Sequence, residues 1–144
     1  MDIQIMKGND ALLHQPTRPT YAIRIFSHMY LKWGIPPLQD STLYLCVKEY
    51  LFDDTEPGFI RPGEILFNEG IAREIISDFN QGRAGCNTLM IHCLAGKNRS
   101  PAVGISLNDI FYLGQDSEQL KQQYPAYREY LYRVMMETAK KMSL

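Results

Sequence analysis

The sequence predicts an α/β fold, with a central, largely parallel sheet flanked by helices. Short apolar segments typical of strands alternate along it with longer segments whose apolar residues recur at helical spacing. The 144 residues are 45% hydrophobic and 22% charged, which is ordinary for one globular domain. We therefore expect a single domain over residues 1–144, with a core at 41–144 and an N-terminal part at 1–40 that carries no recognisable motif.

Three segments have the composition of strands. In the first, Tyr21, Ile23 and Ile25 occupy alternate positions, which is typical of a strand. The second, STLYLCVKEYLF at 41–52, is rich in aromatic and branched residues. The third, NTLMIHC at 87–93, is a short apolar run typical of a strand that is buried on both faces.

Three further segments have the periodicity of helices. Asn68 can cap the first of them, and the glycines of NQGRAG, at 80–85, suit its C-terminal end. The second follows the strand at 87–93, and the third closes the chain; we also interpret residues 124–132 as an amphipathic helix that packs its aromatic side chains on the sheet. The residues that form stripes at helical spacing are Ile71, Ile75, Ile76 and Phe79, then Val103, Leu107, Ile110 and Phe111, and finally Tyr127, Leu131, Val134, Thr138 and Met142.

Charge and cysteine content exclude several classes of protein. The formal net charge of −1 gives no general attraction to nucleic acid or to an anionic membrane. Three cysteines do not form a disulfide framework, and the acidic N-terminus does not resemble a secretory leader. No apolar stretch approaches the roughly 20 residues of a membrane span. We expect a cytoplasmic protein, with leaderless export left open, and the sequence does not indicate an oligomeric state.

The turn after the third strand has the composition of an anion-binding site. Cys93 ends the strand, and the next helix begins within a few residues, so free backbone N–H groups are available there. Gly96 allows a close approach of the backbone, and Asn98 tolerates unusual backbone angles. Arg99 supplies a planar fork that matches two oxygens of a phosphate. In parallel sheets, ligands bind at this end of the strands.

Cys93 is the candidate nucleophile of this turn. A thiolate is the reactive form of cysteine, and both a helix N-terminus and a nearby arginine stabilise an anion. Ser100 can donate a hydrogen bond to the sulfur and help it to leave in a second step. His92 is expected to hold the loop through hydrogen bonds rather than to react.

The segment HCLAGKNRS resembles the H-C-x-x-G-x-x-R-[S/T] loop of the cysteine-dependent protein tyrosine phosphatase superfamily, and is closest to small bacterial members of its dual-specificity branch. All five fixed positions match: His92, Cys93, Gly96, Arg99 and Ser100. The resemblance implies a phosphocysteine intermediate on Cys93, with no cofactor and no metal. It also implies a phosphate-binding loop at 92–100, in which the substrate is bound by Leu94, Ala95, Gly96, Lys97, Asn98 and Arg99.

The resemblance further implies an aspartate, some tens of residues upstream, that protonates the leaving oxygen and later activates water. The segment FDDTEPG follows the second predicted strand and offers Asp53 and Asp54. We favour Asp54, since many bacterial relatives read Phe-x-Asp here, and Asp53 remains the alternative. Asp40 and Asp78 fit less well, because one precedes that strand and the other lies in a predicted helix.

The predicted function is a protein phosphatase that hydrolyses phosphotyrosine, with phosphoserine and phosphothreonine as further candidates. The partner is thus a phosphorylated protein or another phosphate monoester. Lys97 keeps an inositol phosphate or phosphoinositide phosphatase open as an alternative, and a misplaced acid would leave a phospho-binding module of little activity. Cys86 is a further candidate, as a resolving thiol for oxidised Cys93.

Overall fold

A computed structural model describes all residues from 1 to 144, and its four strands and six helices follow one another along the chain. No helix has the length and the apolar character needed to cross a membrane. The elements are β1 (Asp2–Lys7), α1 (Gly8–Leu13), β2 (Thr20–Phe26), α2 (Tyr30–Trp33), β3 (Tyr44–Leu51), α3 (Glu69–Gly82), β4 (Thr88–Cys93), α4 (Arg99–Phe111), α5 (Ser117–Gln123) and α6 (Glu129–Lys141).

The four strands form one sheet in the order β1-β4-β2-β3, and every neighbouring pair is parallel. The predicted α/β fold with a parallel sheet is therefore confirmed. All residues of β2 and β4 are buried, as expected for interior strands, whereas the edge strand β3 alternates in exposure. Because all strands run the same way, the segments that follow them meet at one edge of the sheet.

The two faces of the sheet are covered unequally. One face, which carries Ile23 and Ile91, joins the main hydrophobic core beneath α3, α4 and α6. The opposite face carries Ala22 and Met90 and packs on Ala11 of α1. The side chain of Cys93 belongs to the first face and that of His92 to the second, since successive residues of a strand point to opposite sides.

The helices on the main face begin and pack as their sequences indicate. The Asn68 side chain accepts a hydrogen bond of 3.1 Å from the Ile71 amide, which satisfies a free N–H at the start of α3. Helix α4 is buried along nearly its whole length and lies against the sheet at Gly104. A Cβ atom at that position would lie 3.2 Å from Ile91 and 3.3 Å from Ile5, so a glycine permits this close approach.

Two parts of the chain differ from the sequence-based expectation. Residues 1–40, which carry no motif, supply the predicted strand β2 and also β1, which the sequence did not predict. The amphipathic helix predicted at 124–132 is wrong for its first half, because α5 ends at Gln123 and α6 begins only at Glu129. Helix α6 packs on α3 and α4 instead of the sheet. Its Tyr130 hydroxyl donates to the Phe67 carbonyl, and its Tyr132 hydroxyl donates to Asp109 of α4.

Candidate active site

Four segments converge where the strands end. The Gly8 amide, directly after β1, donates a 3.1 Å hydrogen bond to the Leu94 carbonyl in the phosphate-binding loop. From the other side, Arg99 donates to Ser27, after β2, and to the carbonyl of Phe52, after β3. The phosphate-binding loop therefore contacts the segments that follow β1, β2 and β3.

Cys93 lies at the floor of this junction and is only 2% exposed. Its Sγ atom is 3.1 Å from the Ser100 hydroxyl oxygen. The Gly96 amide donates a second hydrogen bond to the sulfur at 3.3 Å. A thiolate has no proton to donate, so an ionised Cys93 would accept from both the Ser100 hydroxyl and the Gly96 amide. Such a pair of donors, at the start of α4, is suited to an anionic thiolate. The structure therefore brings together Cys93, Gly96 and Ser100, as the sequence motif predicts.

Gly96 meets two separate demands of the loop. Its φ of +69° lies in the left-handed region, which side chains rarely adopt. A Cβ atom there would also lie 2.9 Å from the Lys7 nitrogen and 2.9 Å from the Met6 carbonyl carbon. A side chain at this position would therefore strain the loop and push it away from the end of β1.

Arg99 is the first residue of α4 and is 5% exposed. One of its terminal nitrogens, Nη1, donates to the Phe52 carbonyl at 2.9 Å and to the Ser27 hydroxyl at 3.3 Å. Its Nε and Nη2 atoms make no hydrogen bond within the protein, so that edge of the guanidinium remains free for a bidentate anion.

The outer part of the loop is exposed. The Leu94 residue is 68% exposed, and Ala95 and Lys97 are also exposed. Asn98 is instead held in place, because its side-chain amide donates to the Ala126 carbonyl at 2.6 Å. Its own carbonyl accepts a 3.0 Å hydrogen bond from the Arg128 amide, so the loop is tied to the turn between α5 and α6.

His92 is 1% exposed and accepts a 3.0 Å hydrogen bond at Nε2 from Nε of Arg24, on the neighbouring strand β2. Burial, and next the positive charge of Arg24, lower the pKa of His92 to about 4, so the ring is neutral near pH 7. Its Nδ1 atom is buried without a partner. Sequence reasoning missed Arg24, although an arginine between apolar residues of a strand is itself a signal.

The two candidate acids have different surroundings. Asp53 is 5% exposed, and both of its carboxylate oxygens are occupied. One accepts from Nδ1 of His28 at 2.8 Å and from the His28 amide, and the other accepts from the Ile65 amide at 2.7 Å. Burial alone would raise the pKa of Asp53, but these hydrogen bonds outweigh it and hold the pKa below its usual value.

Asp54 is exposed, and its contacts are of another kind. Its Oδ1 atom pairs with Arg128, at 2.7 Å to Nη2 and 3.1 Å to Nε. The same arginine lies 3.7 Å from Glu56. We call residues 52–65 the acid loop. Its first residue, Phe52, accepts the hydrogen bond from Arg99, so Asp54 follows two residues after a direct contact with the phosphate-binding loop.

A cavity of about 50 Å³ adjoins Cys93 on the side of α1 and α2. Half of the residues around it are apolar, and Tyr30 from α2 packs against Phe26 at 4.8 Å between ring centres. Cys93 and Arg99 both line this cavity. Its other residues are Gly8, Asn9, Leu12, Ile25, Phe26, Ser27, Tyr30, Pro36, His92 and Leu94.

Two other residues that the sequence analysis considered, Cys86 and Asp78, lie elsewhere. Cys86 precedes β4 and Cys93 ends it, so the strand separates them by roughly 20 Å. A disulfide needs Cα atoms within about 7 Å, and Cys86 cannot serve as the resolving thiol in this fold. Asp78, within α3, accepts a 2.7 Å hydrogen bond from the Tyr50 hydroxyl. No cluster of three or more His, Cys, Asp or Glu side chains is arranged to hold a metal ion.

Comparison with known proteins adds evidence on the fold. No protein-family model matches the chain, and no curated protein matches it. Among solved structures, it is similar to the crystal structure of Tk-PTP in the active form, with a TM-score of 0.53 and 16% sequence identity. The similarity covers 96% of this chain and 90% of that one. The predicted protein tyrosine phosphatase-like fold is therefore confirmed.

Proposed function

We propose that this chain hydrolyses phosphate monoesters through a covalent intermediate on Cys93. The observation that carries the proposal is the pair of hydrogen bonds to its sulfur, at 3.1 Å from Ser100 and 3.3 Å from Gly96, beside the free edge of Arg99. A sulfur held in this way, at a helix N-terminus, is suited to attack a bound phosphoryl group.

In the first step, the Cys93 thiolate attacks phosphorus, so that a P–S bond forms and the P–O bond to the leaving group breaks. Nε and Nη2 of Arg99, with the amides of the loop, bind the non-bridging oxygens and stabilise their charge in the transition state. The Asp54 carboxylic acid gives its proton to the leaving oxygen, which departs as an alcohol or phenol.

In the second step, water attacks the phosphocysteine. The Asp54 carboxylate accepts a proton from this water, while the P–S bond breaks and inorganic phosphate forms. The sulfur leaves as a thiolate, and the hydrogen bond from Ser100 stabilises it. The enzyme returns to its starting state, with the protonated Asp54 ready for the next substrate.

The surroundings of the two aspartates support Asp54 as the acid. A group that exchanges protons with substrate and water needs an accessible oxygen, and Asp53 has both of its oxygens in hydrogen bonds to His28 and Ile65. Asp54 has only Arg128 as its partner and is exposed. Asp53 is better suited to fix the start of the acid loop.

Phosphotyrosine is the substrate class that we favour, with phosphoserine and phosphothreonine as further candidates. The cavity beside Cys93 has apolar and aromatic walls, and Arg99 is its one cationic residue. An aryl group suits such walls, whereas an inositol polyphosphate carries further anionic groups that call for further cations. The inositol alternative rests on Lys97, which is exposed on the outer part of the loop.

The test is hydrolysis of p-nitrophenyl phosphate at pH 5–7 by the wild type and by Cys93→Ser. We expect turnover by the wild type and a loss of roughly 10⁴-fold or more in the variant, because the nucleophile is removed. A phosphotyrosyl peptide and an inositol phosphate, assayed in parallel, separate the substrate classes. An inert wild type that still binds the phosphopeptide would contradict the proposal and favour a phospho-binding module.

A further inference from the structure

We propose that Arg24 is a positioning residue of the phosphate-binding loop, which fixes His92 in one tautomer and joins it to the cavity wall at Pro36. The proposal rests on the proposed function and adds to it a residue that lies outside the motif. Arg24 is 2% exposed and contacts neither the sulfur nor the acid loop by a hydrogen bond, so any effect on the reaction passes through its partners.

The register of the sheet places these partners in one row. Arg24 of β2 is the Cα partner of His92 on β4 and of Glu49 on β3, so the three side chains lie on the same face. Within the row, Nε of Arg24 donates to Nε2 of His92 at 3.0 Å, and Nη1 donates to Glu49 at 2.9 Å. Its remaining terminal nitrogen, Nη2, donates to the Pro36 carbonyl.

The chemistry of the two side chains determines where the proton of His92 lies. A guanidinium has donors and no acceptor, so Nε2 of His92 must be the unprotonated nitrogen of the ring. The single proton of the neutral imidazole is then on Nδ1. The lowered pKa of His92 agrees with this neutral state near pH 7. Arg24 therefore allows one protonation state and one ring orientation of His92, which directly precedes Cys93.

The contact with Pro36 extends this control to the cavity. Pro36 and His92 both border the cavity that adjoins Cys93, and Arg24 lies between them and binds each. The guanidinium also stacks on Phe26, at 5.0 Å from the ring centre, and Phe26 borders the same cavity. Loss of Arg24 would therefore remove contacts that hold both His92, beside Cys93, and the cavity wall at Pro36 and Phe26.

Stability alone does not account for an arginine at this place. Removing a guanidinium from water is costly, and an apolar side chain of similar volume is often as stable or more stable in such a position. Glu49, its one anionic partner, is 43% exposed, so the ion pair is only partly buried. The hydrogen bonds to His92 and Pro36 are what an apolar residue could not supply.

The experiment begins with ¹⁵N-histidine NMR of the wild type, in which the coupling pattern of each ring reports its tautomer. The chain has three histidines, and His92→Gln identifies the signal of His92. We expect the Nδ1–H tautomer for His92 in the wild type. An Nε2–H tautomer would overturn the proposal, and this measurement does not depend on the folding of any variant of Arg24.

Arg24→Met tests the consequence for the reaction, with Glu49→Gln as the matched control. In Arg24→Met, Nε2 has no donor opposite it, so we expect the Nε2–H tautomer to appear and kcat for p-nitrophenyl phosphate to fall roughly tenfold to a hundredfold. Glu49→Gln keeps the bonds from Arg24 to His92 and Pro36, and we expect the wild-type tautomer and near wild-type turnover.

Two outcomes separate this proposal from the proposed function. A folded Arg24→Met protein with the wild-type tautomer and wild-type kcat would overturn the role of Arg24 and leave the phosphatase intact. If the wild type hydrolyses no phosphate ester, the proposed function fails. The tautomer and the rate of Cys93 alkylation by iodoacetamide then test Arg24 on their own, and a rate unchanged in Arg24→Met would count against it.

Discussion

The candidate nucleophile Cys93, in the phosphate-binding loop at 92–100, and the candidate acid Asp54, in the acid loop at 52–65, are held in opposite ways. The hydrogen-bond partners of the Cys93 sulfur are local, since Gly96 and Ser100 lie within seven positions of it. The partner of the Asp54 carboxylate is remote, since Arg128 lies 74 positions away. Contacts between residues close in sequence can be recognised from a short motif, whereas contacts between distant residues depend on the assembled fold.

The largest effect is expected when Asp53 and Asp54 of the acid loop are each replaced by asparagine. For a phosphotyrosyl peptide, whose leaving group needs a proton, we expect Asp54→Asn to lower kcat by roughly 10²–10⁴-fold with little change in stability. Asp53→Asn should instead lower the free energy of unfolding by about 1–3 kcal/mol, because a buried set of hydrogen bonds is disrupted. Steady-state kinetics and urea denaturation measure both effects.

The reverse pattern would show that the two roles are exchanged. If Asp53→Asn removes the activity of a still stable protein and Asp54→Asn does not, Asp53 is the proton donor. Asp109→Asn serves as a control, because Asp109 lies on α4 and binds the side chains of Ser117 and Tyr132, which make no hydrogen bond to Cys93, Arg99 or either aspartate of the acid loop.

The next test concerns the residue that joins the two loops. Arg99→Lys keeps the positive charge but loses the planar fork and the contact with the Phe52 carbonyl. We expect kcat to fall by roughly 10²–10³-fold, as when a donor to a developing negative charge is removed. Arg99→Lys and Asp54→Asn together form a double-mutant cycle. If the loss of kcat in the double variant equals the product of the two single losses, the two loops act independently.

His92 gives a prediction on stability with a defined pH window. Its pKa is about 4 in the folded protein and near 6.5 when unfolded, so between these values the unfolded chain binds more protons. Stability should therefore fall as the pH decreases from 6.5 to 4, by up to about 3 kcal/mol. Urea denaturation at several pH values should show a flatter profile for His92→Gln, and two parallel profiles would refute the pKa argument.

The smallest expected effect is at the exposed ion pair of the acid loop. Arg128→Met removes the partner of Asp54 and Glu56 but keeps the backbone bond to Asn98. Exposed pairs contribute about 0.2–1 kcal/mol, so stability should change little. We expect a several-fold lower kcat at low ionic strength, because Asp54 loses its orientation. Kinetics that match the wild type at all salt concentrations would argue that Arg128 does not position the acid.

The sequence predicted the fold and the turn between strand and helix that joins Cys93 to Arg99, because both depend on local patterns. The strand that ends at Cys93 and the helix that starts at Arg99 follow from apolar runs and a fixed spacing. The choice between Asp53 and Asp54 stayed open, because it depends on His28, Ile65 and Arg128, which only the fold brings near. Arg24 and the strand β1 were missed for the same reason, since their partners lie across the sheet.

The contact between Gly96 and the end of β1 has a consequence for the order of folding. The backbone of Met6 and Lys7 lies close to Gly96, although about 90 positions separate them in the sequence. Contacts between residues so distant in sequence form slowly. The curve of the phosphate-binding loop is thus complete only when β1 has docked beside β4. In a refolding experiment, catalytic activity should return with the last phase of sheet assembly and lag behind the recovery of helical signal.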